Sequence, residues 1–339
     1  MSLWNPLTRR ALRRPLSERA HAYLSEIFPQ RPAIRDRGAE IVGFAEIAEG
    51  TNSEIWRVDL DRGRLIARFW KIERGRDKAA ETVELLQHLH TLGLPVPRLI
   101  DCDLSTKTAR RFAMRVTVEE FLPGRHIEPA DLRDVSIRRQ LVDIFLRLHA
   151  ETSETAGRPW RRNNRNHPWE AWLDRRIPLL VERIRMQRPG EIGGDLAEPI
   201  LAMRPPERDT RPFALIHGDP QPANFLIDGS GHVGLIDFGT VMYAPFEIDL
   251  VIGHDCFDQL EPGSFDSVIE ECLAASSERW RERWRRHARF YRALHLLERV
   301  SSCWRKAERY SADTAEWNRL RGDQAWQRLQ ATLAERTPR

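Results

Sequence analysis

The sequence has 339 residues with 54 Lys and Arg against 50 Asp and Glu, so its formal net charge is only +4 at pH 7. A chain of this length is too long for one ordinary core and suits two lobes. The near balance of charge argues against a dedicated nucleic-acid binder, which usually carries a large excess of cations on one face. All but four of the basic residues are arginines. These stay charged at high pH and explain the sequence pI of about 9.1.

The remaining composition excludes other classes of protein. A hydrophobic content of 41% with eleven tryptophans supports a folded core and argues against disorder. No apolar run approaches the roughly 18 residues that a membrane span needs. No apolar stretch follows the cations near the N-terminus, so no secretory signal is expected. The four cysteines are widely spaced with no C-x-x-C pair, which favours free thiols in a reducing cytoplasm over a zinc site or disulfides.

Residues 1–40 are predicted to form a helical N-terminal extension. Apolar side chains recur there at helical spacing, at Leu16, Ala20, Tyr23, Leu24 and Ile27. We expect this helix to pack on the main body, a simpler reading than a helix that lies on a membrane or binds a partner.

Residues 41–122 are predicted to form a smaller lobe built on an antiparallel sheet with one main helix. Small polar turns separate β-rich runs, as in a meander. The predicted strands are 41–48, 54–60, 64–72, 98–103 and 111–121. Between them, apolar residues over 76–92 repeat every three positions and Gly93 follows, which predicts a helix with a glycine at its C-terminal end.

Residues 123–339 are predicted to form a larger, mainly helical lobe that begins after a hinge near 120–124. Helices are expected over 137–151, 263–275, 277–309 and 314–335. Strand-like segments interrupt them only at 212–217, 224–228 and 232–237. The fold class is therefore predicted to be α+β, with a sheet lobe followed by a helical lobe.

The residues that carry chemistry lie between 214 and 250. His217, Gly218 and Asp219 follow a short apolar strand, Asn224 comes five residues after Asp219, and Asp237 comes eighteen residues after it. A turn at 228–231 folds the two following strands into a hairpin, so Asp219, Asn224 and Asp237 are expected to converge at one end of it. Two carboxylates and an amide suit a magnesium ion on phosphates, with one acid left for the proton of a hydroxyl.

This segment resembles the aminoglycoside phosphotransferase and choline kinase family, which is similar in fold to protein kinases. The family pattern is H-G-D-x-x-x-x-N, then I-D-[FW], then D-L. This sequence matches it with His217-Gly218-Asp219, Asn224, Ile236-Asp237-Phe238 and Asp249-Leu250. The resemblance implies that Asp219 is the catalytic base, that Asn224 and Asp237 hold Mg²⁺, and that Asp249 braces the catalytic loop. It implies that His217 orients the loop, with proton transfer by His217 the weaker alternative.

The smaller lobe fits the same resemblance and departs from its simplest form. Gly50, Thr51, Asn52 and Ser53 stand where a turn would cover the phosphates of ATP, but there is one glycine and no G-x-G-x-x-G. An ordinary hairpin turn would explain these residues without the downstream motif. Small polar residues there would still offer backbone N–H groups and hydroxyls to phosphate oxygens.

A cation that grips the phosphates is expected on the third strand. Arg68 stands where protein kinases carry a lysine, and the resembled family admits either residue. Strand alternation puts Ile66 on the same face, where it would line the adenine pocket. Lys71 lies on the opposite face and is the alternative cation.

An acid on the following helix is expected to pair with Arg68. Glu81 is favoured and Glu84 remains possible if the helix register slips. The segment 118–122 resembles the hinge of kinases, so the backbone of Glu120 and Leu122 is expected to recognise adenine.

The resemblance implies an ATP- and Mg²⁺-dependent phosphotransferase that acts on a hydroxyl group of a small molecule, such as a sugar, an amino alcohol or an aminoglycoside-like antibiotic. An atypical protein kinase with a protein acceptor and a nucleotide-binding pseudoenzyme scaffold remain alternatives. Nucleic acid is not an expected partner, no membrane span is expected, and the expected location is the cytoplasm.

The binding site for the acceptor is ambiguous in the sequence. Residues 247–271 are rich in acids, which would suit a polycationic acceptor. Residues 278–310 combine arginines with aromatic side chains. Such a run would suit a phosphorylated or lipid-linked sugar or a single strand of nucleic acid. Because Trp280, Trp284, Ala288, Tyr291 and Leu294 share a helical stripe, the aromatics are expected in the core and the arginines on a solvated face. The patch with Arg161, Arg162 and Arg165 is equally ambiguous.

Overall fold

The structure is a computed structural model that describes residues 11–49, 53–73, 76–158, 160, 168–188, 196–309 and 312–335. These residues form two compact units. The N-terminal unit contains the described residues up to His126, together with Trp160 and Phe225–Phe238. The C-terminal unit contains Ile127–Arg158, the described residues from 168 to Asn224, and those from Gly239 onward.

A five-stranded antiparallel sheet is the centre of the N-terminal unit. Its strands are β1 (Ile41–Glu49), β2 (Ser53–Leu60), β3 (Gly63–Lys71), β4 (Leu99–Asp103) and β5 (Met114–Glu120), in the order β1-β2-β3-β5-β4. Successive side chains of a strand point to opposite faces. Leu65, Ala67 and Phe69 of β3 are buried in the apolar core, while Ile66 and Arg68 lie on the other face and are half-buried.

The N-terminal extension covers the apolar face of this sheet. It forms α1 (Leu16–Glu26), a 3-10 turn (Phe28–Gln30) and α2 (Pro32–Arg35). Arg19 donates from Nη1 to the carbonyl oxygens of Phe112 and Ala113 at 2.8 and 2.7 Å. The Tyr23 hydroxyl donates to Asp103 at 2.9 Å. As expected, the helix packs on the main body, and its polar groups satisfy buried carbonyl and carboxylate oxygens that water cannot reach.

Two helices connect the strands of the N-terminal unit. The first, α3 (Lys78–Thr91), begins with the Asp77 side chain accepting the N–H of Ala80 at 3.2 Å. It ends just before Gly93, which has a φ of 67° and suits a helix C-terminus. The second, α4 (Thr106–Phe112), was not predicted and includes the first residues of the predicted strand 111–121. The Ser105 side chain caps this helix by accepting the N–H of Thr108.

A three-stranded sheet completes the N-terminal unit. It contains β6 (Arg125–His126), β9 (Phe225–Ile227) and β10 (Val233–Leu235), in the order β10-β9-β6. The predicted turn after β9 is held by Asp228, whose carboxylate accepts from the hydroxyl of Ser230 and from the N–H groups of Ser230 and His232. These hydrogen bonds, with that from the Ser230 hydroxyl the strongest, lower the pKa of Asp228 to about 2.

The C-terminal unit contains a small sheet and a series of helices. The sheet has β7 (Thr152–Ser153), β8 (Phe213–Ile216) and β11 (Met242–Ala244), in the order β11-β8-β7. The helices before β8 are α5 (Val135–Ala150), α6 (Trp169–Gln187), α7 (Ala197–Ala202) and α8 (Glu207–Thr210). The later helices are α9 (Glu247–Asp258), α10 (Asp266–Ala275), α11 (Glu278–Ala307) and α12 (Ala312–Ala334). Short 3-10 turns lie at Pro129–Arg133 and Pro222–Asn224.

The long helix α11 differs from the prediction in which side chains it buries. The buried stripe includes Arg283, His287, Phe290, Leu294 and Leu297, whereas Trp280 and Trp284 are only half-buried. Arg283 was expected on a solvated face, and that expectation is wrong. It is buried because it forms a bidentate ion pair with Glu247 at 3.1 and 3.0 Å, and a paired guanidinium can be desolvated.

A second buried ionic cluster joins α9 to α11 and α12. Asp255 is buried beside two arginines and a histidine: His295 at 3.1 Å, Arg328 at 2.5 Å, and Arg299. Burial alone would raise the pKa of Asp255. The hydrogen bond from His295 and the nearby positive charges outweigh burial and hold this pKa well below its usual range.

No helix among the described residues is both long enough and apolar enough to cross a membrane.

Candidate active site

The loop that carries the predicted catalytic motif follows β8 in the C-terminal unit. β8 is buried along its length and ends at Ile216, so His217, Gly218 and Asp219 leave the sheet in succession. The 3-10 turn that ends at Asn224 closes the loop. The three polar-loop residues therefore begin at the C-terminal end of β8, the central strand of the small sheet.

A buried carboxylate holds the first half of this loop. Asp249, near the start of α9, is fully buried and accepts the N–H groups of His217 at 2.8 Å and Gly218 at 2.7 Å. Nε2 of His149 on α5 lies 3.2 Å from the same carboxylate. Hydrogen bonds from backbone N–H groups to a carboxylate are charge-assisted and directional, so Asp249 fixes the path of the loop.

Gly218 allows the turn between His217 and Asp219. Its φ is 77°, and a Cβ atom at this position would lie 2.8 Å from the carbonyl oxygen of Thr240. The Thr240 hydroxyl donates to the carbonyl oxygen of His217 at 2.8 Å. The backbones therefore approach too closely for any side chain on Gly218.

Asp219 and Asn224 lie together in the second half of the loop. Nδ2 of Asn224 donates to the backbone oxygen of Asp219 at 2.7 Å and lies 3.3 Å from its Oδ2. Nε2 of Gln221 donates to the same Oδ2 at 3.0 Å. Because the nitrogen of the Asn224 amide is committed to Asp219, its oxygen is the atom that it has to offer a cation.

Asp237 belongs to the N-terminal unit and follows β10. Within this unit Phe225 pairs with Leu235 at one end of the hairpin. Asn224 directly precedes Phe225 in the sequence, and Asp237 comes two residues after Leu235. Asp237 has a φ of 60°, a left-handed conformation that is uncommon for residues other than glycine and is often found at functional sites. The convergence of Asp219, Asn224 and Asp237 stays a prediction.

Arg68 lies on the face of the five-stranded sheet that does not carry the apolar core. Its Nε is 3.4 Å from Oε1 of the buried Glu119 on β5, and its guanidinium lies over the ring of Trp70 at 5.4 Å. The Thr117 hydroxyl lies between them, accepting from Trp70 and donating to Glu119. A carboxylate and an indole ring thus lie against the guanidinium, and the hydroxyl links them to each other.

The acid of α3 favoured by sequence has an ionic partner of its own. Glu81 accepts from Nε and Nη2 of Arg76, with the shortest distance 2.8 Å. Glu119, which contacts Arg68, was not considered in the sequence, although it stands beside Glu120 in a strand with alternating faces. The pairing of Arg68 with Glu81 or Glu84 stays a prediction.

The segment predicted to be the hinge is anchored to the rest of the N-terminal unit. The Glu120 N–H donates to the carbonyl oxygen of Arg98 at 2.9 Å, and its carboxylate accepts from the Arg98 guanidinium. The hydrogen bonds from Arg98 lower the pKa of Glu120. Leu122 lies against Gly234 of β10, where an added Cβ would come within 3.0 Å of its side chain. The backbone N–H of Glu120 is therefore already committed within the N-terminal unit.

The turn predicted to cover the phosphates is described only in part. Gly50, Thr51 and Asn52 lie outside the described residues, as do Arg161, Arg162 and Arg165 of the other arginine-rich patch. Ser53 begins β2, is buried, and pairs across the sheet with Trp70.

Two positioning residues of the C-terminal unit were not found from the sequence. His149 ends a helix whose apolar spacing indicated only a core-facing stripe, and Arg283 looked like one of many surface arginines. The sequence does not reveal these two residues because each contacts an acid of α9 that is far away in the chain. His149 contacts Asp249, and Arg283 pairs with Glu247. Burial raises the pKa of Glu247 despite the Arg283 charge.

Comparison with known proteins gives the chain a family and a fold. The model of a family described as "Phosphotransferase enzyme family" matches residues 43–283. A homoserine kinase of Pseudomonas aeruginosa is 28% identical over 235 residues, which cover 69% of this chain and 70% of that protein.

Solved structures support the fold. A choline/ethanolamine kinase family protein from Mesorhizobium loti has 16% identity and a TM-score of 0.59, over 95% of this chain and 96% of that one. A thermostable mutant of an aminoglycoside phosphotransferase, in a ternary complex with ADP and hygromycin B, has 12% identity and a TM-score of 0.55, over 90% of this chain and 98% of that one. At these identities the likeness concerns the fold alone, and it confirms the predicted class: an antiparallel-sheet N-terminal region and a mainly helical C-terminal region.

Proposed function

Because the chain belongs to the phosphotransferase enzyme family, we propose that it transfers the γ-phosphoryl group of ATP to a hydroxyl group of a small molecule. The observation that carries this proposal is the held catalytic loop. Asp249 fixes the backbone of His217 and Gly218, and Asn224 holds Asp219 from the other side. A loop fixed at both ends presents one carboxylate in a constant place, which positional catalysis requires.

Asp219 is the residue we assign as the catalytic base. In the proposed reaction the acceptor oxygen forms a bond to the γ-phosphorus, and the bond from that phosphorus to the bridging oxygen breaks. ADP leaves, and the hydroxyl proton passes to the Asp219 carboxylate. Such transition states are loose, so the chain contributes chiefly by positioning and by stabilising charge. His217, whose N–H and carbonyl are both held, orients the loop in this proposal.

The metal residues we propose are Asn224 and Asp237. The donor set fits a hard cation, because a carboxylate and an amide oxygen are oxygen ligands that Mg²⁺ accepts. The commitment of the Asn224 amide nitrogen to Asp219 supports this assignment, since it leaves the oxygen for the ion. When bound, Mg²⁺ would neutralise the negative charge of the phosphates.

Arg68 is the phosphate-gripping cation of the proposal, and Ile66 on the same face would contact adenine. The Glu120 carbonyl and the Leu122 backbone would recognise the edge of the base, and Ser53 with Gly50, Thr51 and Asn52 would cover the phosphates. Glu81 is retained as the proposed acid of α3. The ADP bound to the aminoglycoside phosphotransferase of the comparison supports an adenine nucleotide.

A small molecule is the acceptor that the relatives favour. One similar protein is a homoserine kinase, and the structure of another contains hygromycin B. Homoserine and hygromycin B both carry hydroxyl groups. No observation in the described residues favours a protein acceptor or a nucleic acid over these. We also propose a cytoplasmic location, which suits an enzyme that consumes ATP and has free thiols at its four cysteines.

The test is magnesium-dependent ADP release with a panel of amino acids, amino alcohols, sugars and aminoglycosides, with phosphorus NMR to identify the product. Asp219→Ala and Asp237→Ala should each abolish transfer while the circular dichroism spectrum and the thermal midpoint stay close to those of the parent. Asp143→Ala is the matched control, since this acid lies exposed on α5 and pairs only with a neighbouring arginine in the described contacts. Near-parental turnover by either of the first two variants would overturn the assignment.

A further inference from the structure

Three metal-ligating side chains meet where α9 ends and α10 begins, within the C-terminal unit. They are His254 and Asp258 of α9 and Asp266, the first residue of α10. One ligand atom of each lies within 4.8 Å of those of the other two. None of the three belongs to the motif assigned to phosphotransfer, so their proximity needs a separate explanation.

Helical spacing brings the first two side chains together. His254 and Asp258 are four positions apart, so they lie on the same face of α9, one turn from each other. Oδ2 of Asp258 is 3.6 Å from Nε2 of His254. Metal ligands at this spacing on a helix can bind one ion together.

A close contact between neighbouring residues fixes the third ligand. Gly253 directly precedes His254, and Phe265 directly precedes Asp266. A Cβ atom on Gly253 would lie 2.6 Å from the ring of Phe265, which is fully buried. The start of α10 is therefore packed against α9 beside the ligands, and Oδ1 of Asp266 lies 3.2 Å from Nε2 of His254.

The turn between the two helices holds one of the carboxylates. The Gly263 N–H donates to Oδ1 of Asp258 at 2.9 Å. This hydrogen bond orients the carboxylate and leaves Oδ2, the atom next to His254, to face the other ligands. The side chains of His254 and Asp258 are only 21% and 20% exposed, so the surrounding residues restrict their positions.

The distances match the spacing of ligand atoms around a small cation. A tetrahedral Zn²⁺ ion with nitrogen and oxygen ligands at their usual bond lengths places those atoms about 3.3–3.6 Å apart. Nε2 of His254 lies 3.2 Å from Asp266 and 3.6 Å from Asp258. Small movements of these side chains would therefore suffice to bring all three to one ion.

The cluster also carries an excess of negative charge. A protonated His254 would supply a single positive charge against two carboxylates, and its Nε2 proton could point to only one of them. Among the described ion pairs, neither Asp258 nor Asp266 contacts a lysine or an arginine. A divalent ion would neutralise both carboxylates and bond all three ligand atoms at once.

We propose that His254, Asp258 and Asp266 form a binding site for a divalent transition-metal ion such as Zn²⁺. The imidazole favours such an ion over Mg²⁺, which prefers oxygen ligands. Three protein ligands leave a fourth position for water, on the side of Asp266, whose side chain is 58% exposed. The ion joins the end of α9 to the start of α10, and α9 is the helix whose first turn carries Asp249.

The first test is calorimetric titration of the metal-free and nucleotide-free full-length protein with Zn²⁺. The parent should bind Zn²⁺ at a site from which Mg²⁺ at the same concentration does not displace it. His254→Ala, Asp258→Asn and Asp266→Asn should each weaken this binding by about 10-fold or more, because loss of even an outer partner of a metal ligand costs about 10–100-fold. Asp266→Asn changes an exposed side chain, so this variant should fold like the parent.

His232→Ala is the matched control. His232 and Asp228 are also four positions apart, with Nδ1 and Oδ2 separated by 3.7 Å. In the part of the chain that the structure describes, no third metal ligand joins this pair. His232→Ala should therefore bind Zn²⁺ as the parent does.

The second test locates the ion. Anomalous scattering at the zinc absorption edge, from crystals of the zinc-loaded parent, should place a peak among the three side chains. A peak elsewhere without one here would overturn the proposal, as would an affinity for Zn²⁺ that the parent and the three variants share. Displacement by Mg²⁺ at the same concentration would overturn the assignment to a transition-metal ion. Neither test uses phosphotransfer, so both results are independent of the function proposed above.

Discussion

The buried Asp249 carboxylate accepts the backbone N–H of His217 at 2.8 Å, across 32 positions of the sequence. It accepts the N–H of Gly218 as well, so both peptide groups that precede Asp219 are tied to the start of α9. An asparagine at 249 would present an amide nitrogen to one of these N–H groups. We therefore expect Asp249→Asn to destabilise the protein by about 2–4 kcal/mol and to lower kcat by roughly 100-fold.

Urea unfolding and steady-state kinetics measure the two effects of Asp249→Asn separately. His149→Gln is the companion variant. It removes one contact to the same carboxylate and leaves the two backbone contacts in place, so its loss of kcat should be much smaller. Unchanged kcat in Asp249→Asn would contradict the bracing role.

Gly218→Ala should abolish activity because the added methyl group would displace the loop backbone, although it removes no polar group. The added methyl group would meet the Thr240 carbonyl oxygen at 2.8 Å on a residue with a φ of 77°. We expect a cost of about 1–3 kcal/mol from the strained conformation, with a further loss from the displaced loop. Thermal melting and the rate of ADP release report on both effects.

The matched control for Gly218→Ala is Gly229→Ala. Gly229 lies in the hairpin turn after β9, and an added Cβ there would have no atom within 4 Å. Its rate should equal that of the parent. A functional Gly218→Ala protein with parental stability would show that the loop tolerates a side chain at 218.

Arg68→Ala should raise the KM for ATP and lower kcat far more than Lys71→Ala does. Arg68 shares a face of β3 with Ile66 and is held between Glu119 and Trp70, whereas Lys71 lies on the face of Phe69. Arg68→Lys keeps the charge and should retain part of the activity. Larger effects from Lys71→Ala would place the phosphate-gripping cation on the other face of the strand.

Lowering the pH should reduce the free energy of unfolding, in part because Asp255 becomes protonated. Its pKa in the folded protein lies below the ordinary 3.8, so the folded state holds this proton less tightly than the unfolded state does. The stabilisation is present above the unfolded pKa and is lost as the pH falls from there towards the lower pKa of the folded state, with a slope of up to about 1.4 kcal/mol per pH unit.

The measurement is the free energy of unfolding of the parent and of Asp255→Asn at each pH. At pH 7 the variant should be less stable by about 3–5 kcal/mol, because the guanidinium groups of Arg299 and Arg328 lose their counterion. The difference between the two proteins should shrink as the pH falls. A difference that does not change with pH would show that Asp255 keeps an ordinary pKa. The exposed Asp143→Asn serves as the control and should give a small, flat difference.

Local patterns in the sequence predicted most elements of the fold. The hairpin turn at 228–231, the helix that ends before Gly93 and the alternating faces of β3 each depend on nearby residues, and each is present. The helix α4 was not predicted. The Ser105 side chain accepts the N–H of Thr108 only once residues 106–108 are helical, so the cap is not evident from the sequence alone.

Contacts between distant residues could not be predicted in this way. Arg283 is chemically the same as the exposed Arg285 and Arg286 two and three positions later, and only Glu247, 36 positions away, distinguishes it. Glu119 was not a candidate in the sequence, because only the alignment of β3 with β5 brings it close to Arg68. Burial of a charge depends on a counterion brought by another element, and a single sequence does not reveal which one.

The N-terminal helix α1 shows that the segment matched by the family model cannot be separated from the residues before it. The family match begins at residue 43, yet Leu16, Tyr23 and Phe28 belong to the same core as Val58 and Phe69 of the sheet. A protein shortened to its family segment would expose that apolar face to water and leave the Phe112 and Ala113 carbonyls without Arg19. Expression of a truncated enzyme should therefore begin before Leu16, and a fusion partner should be attached upstream of it.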